Sequence, residues 1–320
     1  MAGKLTFTPE DFQQAAVQYR PELLLLPIIG CAATLDFMTG RPGIRYSERV
    51  GKLAGSAQFG PYDPKRKADF NLEVNFRDLN TFFGSVVAEF EPNTAVSTIL
   101  GKGATKGDGQ MSTPTAVDVL RLIAAGLSEN LNAAIWSAKR NESGTTTADL
   151  FNGFDTITEQ EISAGNIADA KGNYLKLDTK IDKSNAYDIA RQILRSLDPR
   201  LRQQETFLYC SQEFLDDYNE AYMLTHGCMP YNKQFDQQSV EGSNGLLKFV
   251  PLFNKADSKF IHVAPKSNML YGYDSMGDVE SVMVKEYAPF VLSYIATMFF
   301  GVQFESIDKS RLKVIELASE

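Results

Sequence analysis

Val117, Leu120, Ala124, Leu127, Leu131, Ala134 and Ala138 follow one another at alternating steps of three and four residues. That spacing puts all seven on one stripe of an α-helix. Thr113-Pro114 supplies the start, with proline at a position where its missing N–H costs nothing. Running to about Arg140, the helix would have roughly 26 residues and a length of about 39 Å at 1.5 Å per residue. A helix this long with a narrow apolar stripe is a strut laid across a flat layer. Ala124, Ala134 and Ala138 let that layer come close. The rest of the chain has to supply it.

One source for the layer lies near the C-terminus. From Tyr287 to Phe304 there is no charged side chain, and residues 288–304 read APFVLSYIATMFFGVQF. The length is near the lower limit for a membrane span. However, Pro289, Ser293, Tyr294, Thr297, Gly301 and Gln303 dilute it, and no cluster of positive charge flanks it to orient it. Val291, Tyr294, Ile295, Thr297, Phe299, Phe300, Val302 and Phe304 are β-branched or aromatic, the composition of strands. The stretch reads as one or two buried strands, split near Gly301 and running beside the long helix.

Elsewhere helices and strands intermingle without regular alternation, which makes the fold class α+β. Thr8-Pro9-Glu10-Asp11 starts a helix and Arg20-Pro21 stops it, after which an apolar stretch leads to the turn Thr39-Gly40-Arg41-Pro42-Gly43. Phe70, Leu72, Val74 and Phe76 alternate with Asn71, Glu73, Asn75 and Arg77, the period-two pattern of a strand with one buried face. Between Ile44 and about Glu91 the chain therefore reads as a long two-stranded hairpin. Two strands alone are marginal in water, so the hairpin needs its own domain or a neighbouring subunit to lie on. Asp149 to Ile157 reads as a turn. A helix is expected over 184–197 and another from Ser211 to Tyr222. Strands are expected at 206–210, 246–250, 260–263, 279–284 and 311–317.

The chemistry-bearing residues are sparse. The 320-residue chain carries a net charge of −8, without the basic stripe that a duplex-DNA reader uses to neutralise phosphates. Its densest basic run, Lys65-Arg66-Lys67, follows Gly60-Pro-Tyr-Asp-Pro64 and reads as a solvated loop tip. Cys31, Cys210 and Cys228 have no metal spacing, and the two histidines, His226 and His262, do not complete a zinc set, so structural roles and no metal or cofactor are expected. An odd cysteine count without a leader peptide suits synthesis in a reducing cytosol. The glycine-rich Gly101–Gly109 lacks the G-x-x-x-x-G-K-[ST] order of a phosphate loop and reads as a connector. No nucleophile elbow, metalloprotease helix or dinucleotide fingerprint is present. A catalytic role is therefore not expected.

The order of elements, arm, long charged hairpin, glycine-rich joint, spine-like helix, compact α+β region and closing strands, resembles the major capsid proteins of tailed bacteriophages. These have the Hong Kong phage-type fold, shared with encapsulins. Leu131–Trp136 followed by Leu150-Phe-Asn-Gly-Phe-Asp-Thr-Ile157, the segment Thr206–Tyr218, and Leu246–Pro251, Phe260–Pro265 and Met269–Asp274 carry the likeness over nearly the whole chain. The resemblance implies an N-terminal arm at 1–44 and an extended loop at 45–95. It also implies a peripheral domain at 96–145 and 286–320, and an axial domain at 146–285. Tyr62, Lys65, Arg66 and Lys67 would then lie near the loop tip and contact a neighbouring subunit. The implied function is structural: self-assembly into hexamers and pentamers of an icosahedral head that encloses double-stranded DNA, made in the bacterial host cytoplasm and found in the virion. The implied partners are other copies of the chain, scaffolding and portal proteins, and packaged DNA touched without specificity, with no membrane. The net negative charge suits a shell that must not adhere to its genome. No long coiled-coil-like segment precedes the arm, which implies a separate or removed scaffold. Some relatives form Lys–Asn crosslinks; no partner Asn or activating acid for Lys65 or Lys67 is identifiable, and no crosslink is assigned. Two other readings stand beside this one: an encapsulin-like compartment, and a small-molecule enzyme with a non-local active site. A tail or baseplate component would instead form rings or tubes.

Overall fold

The computed structural model describes residues 9–56, 71–91, 116–228, 239–274, 282–288 and 291–318. The N-terminal part contains α1 (Pro9–Gln18), α2 (Arg20–Ile29), α3 (Ala32–Leu35), β1 (Thr39–Pro42), β2 (Ser47–Ser56), β3 (Asn71–Asn80) and β4 (Phe82–Phe90). Then follow the long helix α4 (Ala116–Ser137), α5 (Phe154–Ser163), β5 (Tyr174–Lys176), α6 (Ala186–Ser196), α7 (Pro199–Arg202), β6 (Thr206–Cys210) and α8 (Gln212–His226). The chain closes with β7 (Leu247–Pro251), β8 (Phe260–Ala264), β9 (Met269–Tyr273), β10 (Val282–Ala288), β11 (Val291–Phe304) and β12 (Lys313–Glu316). Among the described residues, no helix is long and apolar enough to cross a membrane.

Two five-stranded sheets and a separate two-stranded ribbon organise these elements. In the first sheet β11 is the central strand. It pairs antiparallel with β10 along one edge, with β4 along the other, and with β9 over Phe300–Phe304; β1 adds to β9 in parallel. The second sheet has the order β5-β12-β8-β6-β7. β2 and β3 form the ribbon, paired from Ser47↔Asn80 to Ser56↔Asn71.

The helical stripe does what its spacing predicts. Leu120, Ala124, Leu131, Ala134 and Ala138 are buried, and α4 packs with α1 and α2 on one face of the first sheet. That core joins Phe12, Leu23, Val119, Val282, Val284, Leu292 and Tyr294, with Phe12 and Phe90 edge to face at 5.4 Å. The C-terminal half of α4 enters a larger core with α5 and the second sheet, around Trp136, Phe151, Phe154, Phe300 and Phe304. A third core lies between α6, α8 and the other face of the second sheet. Ser211 caps α8, its Oγ accepting from the Phe214 N–H at 3.2 Å.

Several expectations need correction. α4 has 22 residues, about 33 Å, because the chain leaves the helix at Ser137 to form the 138–153 loop. The stop at Arg20-Pro21 holds for α1, but the apolar stretch behind it is itself a helix. Pro21 sits in the first turn of α2, where it is tolerated, while Leu23, Pro27 and Ile28 face the core. The turn read over 149–157 flows into α5, unmarked in sequence because its first turn follows Gly153 rather than a capping side chain. The hairpin expected over 44–91 is shorter: its return strand ends at Asn80, and residues 82–90 form a strand of the main sheet. β11 is one unbroken strand of 14 residues, so Gly301 is not a break point. α8 continues past Tyr222 to His226.

Candidate functional site

Among the described residues, the helices α1, α2 and α4 cover one side of the first sheet, while on the other side the hairpin root covers β9 and the C-terminal end of β11 and leaves much of β4 open. Along β4, Phe82, Gly84, Val86, Ala88 and Phe90 are partly buried toward the body, while Phe83, Ser85, Val87 and Glu89 are exposed. Register carries that open face across three strands: Phe83 lies opposite Phe299, Val87 opposite Ile295, and Ile295 opposite Met283 of β10. Paired residues share a face, so Phe83 with Phe299, and Val87 with Ile295 and Met283, form two apolar rows on either side of the Ser85–Thr297 pair. Tyr46 closes the end of the first row, edge to face with Phe299 at 5.3 Å, and Phe83 meets the same ring at 4.9 Å. Phe83 is 58% exposed, Val87 60% and Tyr46 71%. A sheet that stays in water on one face ordinarily alternates polar residues there. Here the Phe-Phe and Val-Val doublets of FFGSVVAEF put apolar groups on both. Exposed aromatic and branched side chains gathered in this way are a candidate interaction surface.

The second feature is the hairpin. Ten paired residues at about 3.4 Å each make a ribbon roughly 34 Å long. Among the described side chains, its buried contacts with the body are at the root, where Val50 and Leu79 pack with Ile44 and Leu270. Just beyond, Phe76 is 58% exposed, with the Arg49 guanidinium 5.6 Å above its ring. The contact residues expected from sequence, Tyr62, Lys65, Arg66 and Lys67, lie outside the described residues, as do the Gly101–Gly109 connector and Thr113-Pro114.

Sequence reasoning missed a buried polar cluster in the main core. Lys255 is sealed from solvent, and its Nζ donates to Asp155 Oδ1 at 3.1 Å, Ser258 Oγ at 3.0 Å and His262 Nδ1 at 3.3 Å. The Trp136 ring lies 3.8 Å from the ammonium, a cation–π contact. Burial lowers the Lys255 pKa, opposed by Asp155; burial and the adjacent Lys255 hold His262 well below its ordinary value. His262 is therefore neutral. With Nδ1 accepting from Lys255, the proton sits on Nε2 and is donated to Thr158 Oγ1 at 2.9 Å, which donates on to Phe154 O at 2.8 Å. Every polar atom in that chain has a partner. The cluster pins α5, β8 and the 253–258 turn to the end of α4. Nothing in sequence distinguishes Lys255 from a surface lysine, because Asp155 and Trp136 are about 100 residues away.

The cysteines are placed as packing groups. Cys31 and Cys210 are buried, and burial raises the Cys31 thiol to about 11, with its Sγ 3.1 Å from Pro27 O. Cys228 is exposed at the end of α8. No group of three or more His, Cys, Asp or Glu suited to a metal occurs among the described residues. A cleft of about 500 Å³ opens between α2, α4 and β4, rimmed by the 140–149 loop, and one of about 810 Å³ lies at the hairpin root beside residues 305–310. Neither is lined by the Lys255 cluster.

No protein-family model matches the chain, and no curated protein matches it in sequence. Solved structures do match in shape. The satellite phage P4 procapsid gives a TM-score of 0.57 at 12% identity, over 99% of this chain and 94% of that one. The capsid of an empty GTA particle gives 0.56 at 10%, over 90% of each. The holo-SrpI encapsulin complex from Synechococcus elongatus gives 0.51 at 11%, over 88% of this chain and 85% of that one. This is the Hong Kong phage-type capsid fold. The expected class, α+β with arm, hairpin loop, spine helix and two lobes, therefore stands, and within the capsid fold α4 is the spine and β2–β3 the hairpin loop.

Proposed function

We propose that this chain is a shell-forming structural protein, the major capsid protein of a tailed-phage head, assembling through hexamers and pentamers around double-stranded DNA. One observation carries the reading: the chain matches shell subunits over nearly its whole length, while leaving an apolar sheet face uncovered. Its natural occupant is part of another copy. A two-stranded ribbon lacks independent stability and needs a surface, and the open face lacks a cover. Closed symmetric assembly supplies both at once. In this reading residues 1–44 are the arm and the ribbon β2–β3 is the loop, while 96–145 with most of 286–320 form the peripheral domain, joined by β4, β9 and β10, and most of 146–285 with β12 form the axial domain. Tyr62, Lys65, Arg66 and Lys67 touch the neighbouring subunit. Scaffolding and portal proteins and packaged DNA are its other partners, the virion its location, and catalysis is no part of its role.

The test is assembly of the purified protein, with and without a scaffolding partner, followed by light scattering and negative-stain microscopy. Hexamers, pentamers or closed shells are expected. Persistent monomers under every condition would overturn the proposal. The encapsulin likeness supports a second reading, a compartment around a protein cargo. Shells isolated from the native source separate the two: nucleic acid inside supports a head, a single co-purifying enzyme supports a compartment.

A further inference from the structure

β9 and β11 pair so that Gly272 and Gly301 lie opposite each other. Both face the turn between β3 and β4. A Cβ on Gly301 would sit 2.0 Å from the Asn80 carbonyl oxygen, and one on Gly272 2.8 Å from Thr81 Cγ2. Neither glycine has a positive φ, so it is the close approach of the hairpin root that demands glycine here. The two make a notch. Thr81 is buried in it, its N–H donating to Tyr46 O at 2.8 Å and its Oγ1 to Ile44 O at 3.1 Å.

Above the notch a clamp holds the ribbon. Arg77 of β3 donates from Nη2 to Glu161 Oε1 of α5 at 2.6 Å and to Gln303 Oε1 of β11 at 3.0 Å. Gln303 Nε2 donates back to Asp78 O at 3.2 Å, and Asn166 Nδ2 donates to the other Glu161 oxygen at 2.8 Å. The ion pair is largely shielded, with side chains 16% and 17% exposed, whereas the neighbouring Arg49–Asp78 pair is 66% and 51% exposed. Shielded, multiply bonded pairs hold geometry in a way that solvated ones do not.

We infer that Arg77, Glu161 and Gln303, together with the Gly272–Gly301 notch, are positioning residues for assembly, which fix the angle at which the hairpin leaves the body and meets a second copy of this chain. The inference rests on the shell reading above. Leverage makes the angle matter: a pivot of about 10° at the root moves the end of a roughly 34 Å ribbon by about 6 Å, more than the spacing between neighbouring strands.

The experiment compares the wild-type protein with Glu161→Gln, Arg77→Gln, Gln303→Leu and the charge swap Arg77→Glu with Glu161→Arg. Amide exchange at residues 47–51 and 76–80 is read in the unassembled subunit, then thermal midpoint, then shell yield and diameter. Loss of the clamp is expected to speed root exchange by about tenfold, to leave the midpoint of the body near wild type, and to give fewer shells or mixed diameters, with the swap restoring both. Unchanged root exchange, or variants that build wild-type shells at wild-type yield, would overturn the inference. If Arg77→Gln fails to fold, Glu161→Gln and Gln303→Leu carry the same test. If the wild type builds no shells, it is the shell reading that falls, and exchange in the unassembled subunit still decides whether the clamp holds the root.

Discussion

Phe83→Ser separates an assembly surface from a core residue. Phe83 is 58% exposed in the isolated subunit. A phenylalanine side chain offers roughly 200 Å², so about 115 Å² of ring remains to be covered when a second copy seats on the face. At about 25 cal/mol per Å² that is close to 3 kcal/mol per contact. Each 1.4 kcal/mol is a factor of ten, so the concentration at which shells appear should rise about 100-fold if the ring is fully covered and about tenfold if half of it is. The assay is light scattering across a protein dilution series, read beside the thermal midpoint of unassembled subunits. That midpoint should hardly move, because the ring contributes little to the subunit's own core. An onset of assembly within twofold of wild type, at equal subunit stability, would refute the reasoning and leave this face in solvent within the shell. A midpoint lowered by many degrees would instead make Phe83 part of the subunit's own core.

Three further outcomes test the interior. Lys255→Met should cost about 3–5 kcal/mol in chemical denaturation, since it strands Asp155 in the core; adding Asp155→Leu should recover a good part of that loss. Because His262 is held well below 6.5 in the folded chain, the unfolded chain takes up a proton that the native state refuses once pH falls below that value. Stability should fall there by up to about 1.4 kcal/mol per pH unit, and His262→Gln should remove that share of the slope in denaturation series between pH 7 and 5. Gly153→Ala would place a Cβ 2.2 Å from the Trp136 carbonyl oxygen, so backbone must shift, and a loss of about 3 kcal/mol is expected in thermal or urea unfolding.

What was legible in sequence is what a single segment decides. The stripe of α4 follows from spacing alone, because one helix face meets one layer. The alternation through Phe76 marks β3 as a strand but names the wrong face as buried: Phe76 is 58% exposed, while Arg77 and Leu79 turn toward the body, because the hairpin root packs there. β4 was hidden by the opposite circumstance. With Phe-Phe and Val-Val doublets its period-two signal vanishes, since both faces are apolar. The property that obscured the strand is the same one that motivates the proposed assembly surface. Gly301 misled in a related way: a glycine inside an apolar strand reads as a break, but here it admits the Asn80 carbonyl from a segment more than 200 residues earlier. Lys255, Arg77 and Glu161 carry no local signature at all, because their partners are brought together only by the tertiary fold.

β11 shows why these features belong to one design. Its N-terminal two thirds hold the apolar face between β4 and β10, and its C-terminal third, paired with β9, forms the floor under the hairpin root. The two structures that need a partner, an uncovered sheet and an unsupported ribbon, are thus tied to one continuous backbone. β11 is paired on at least one edge throughout, with β4 and β10 on both edges over Leu292–Ala296 and with β9 from Phe300 on, so one continuous backbone links the root to the receiving face. Where every copy both offers a ribbon and presents a face, contacts propagate head to tail and close into rings only if that relation is held constant. The uncharged run from Tyr287 to Phe304 is therefore more than a buried strand. In the proposed shell, β11 would be the element that lets identical copies repeat one contact geometry.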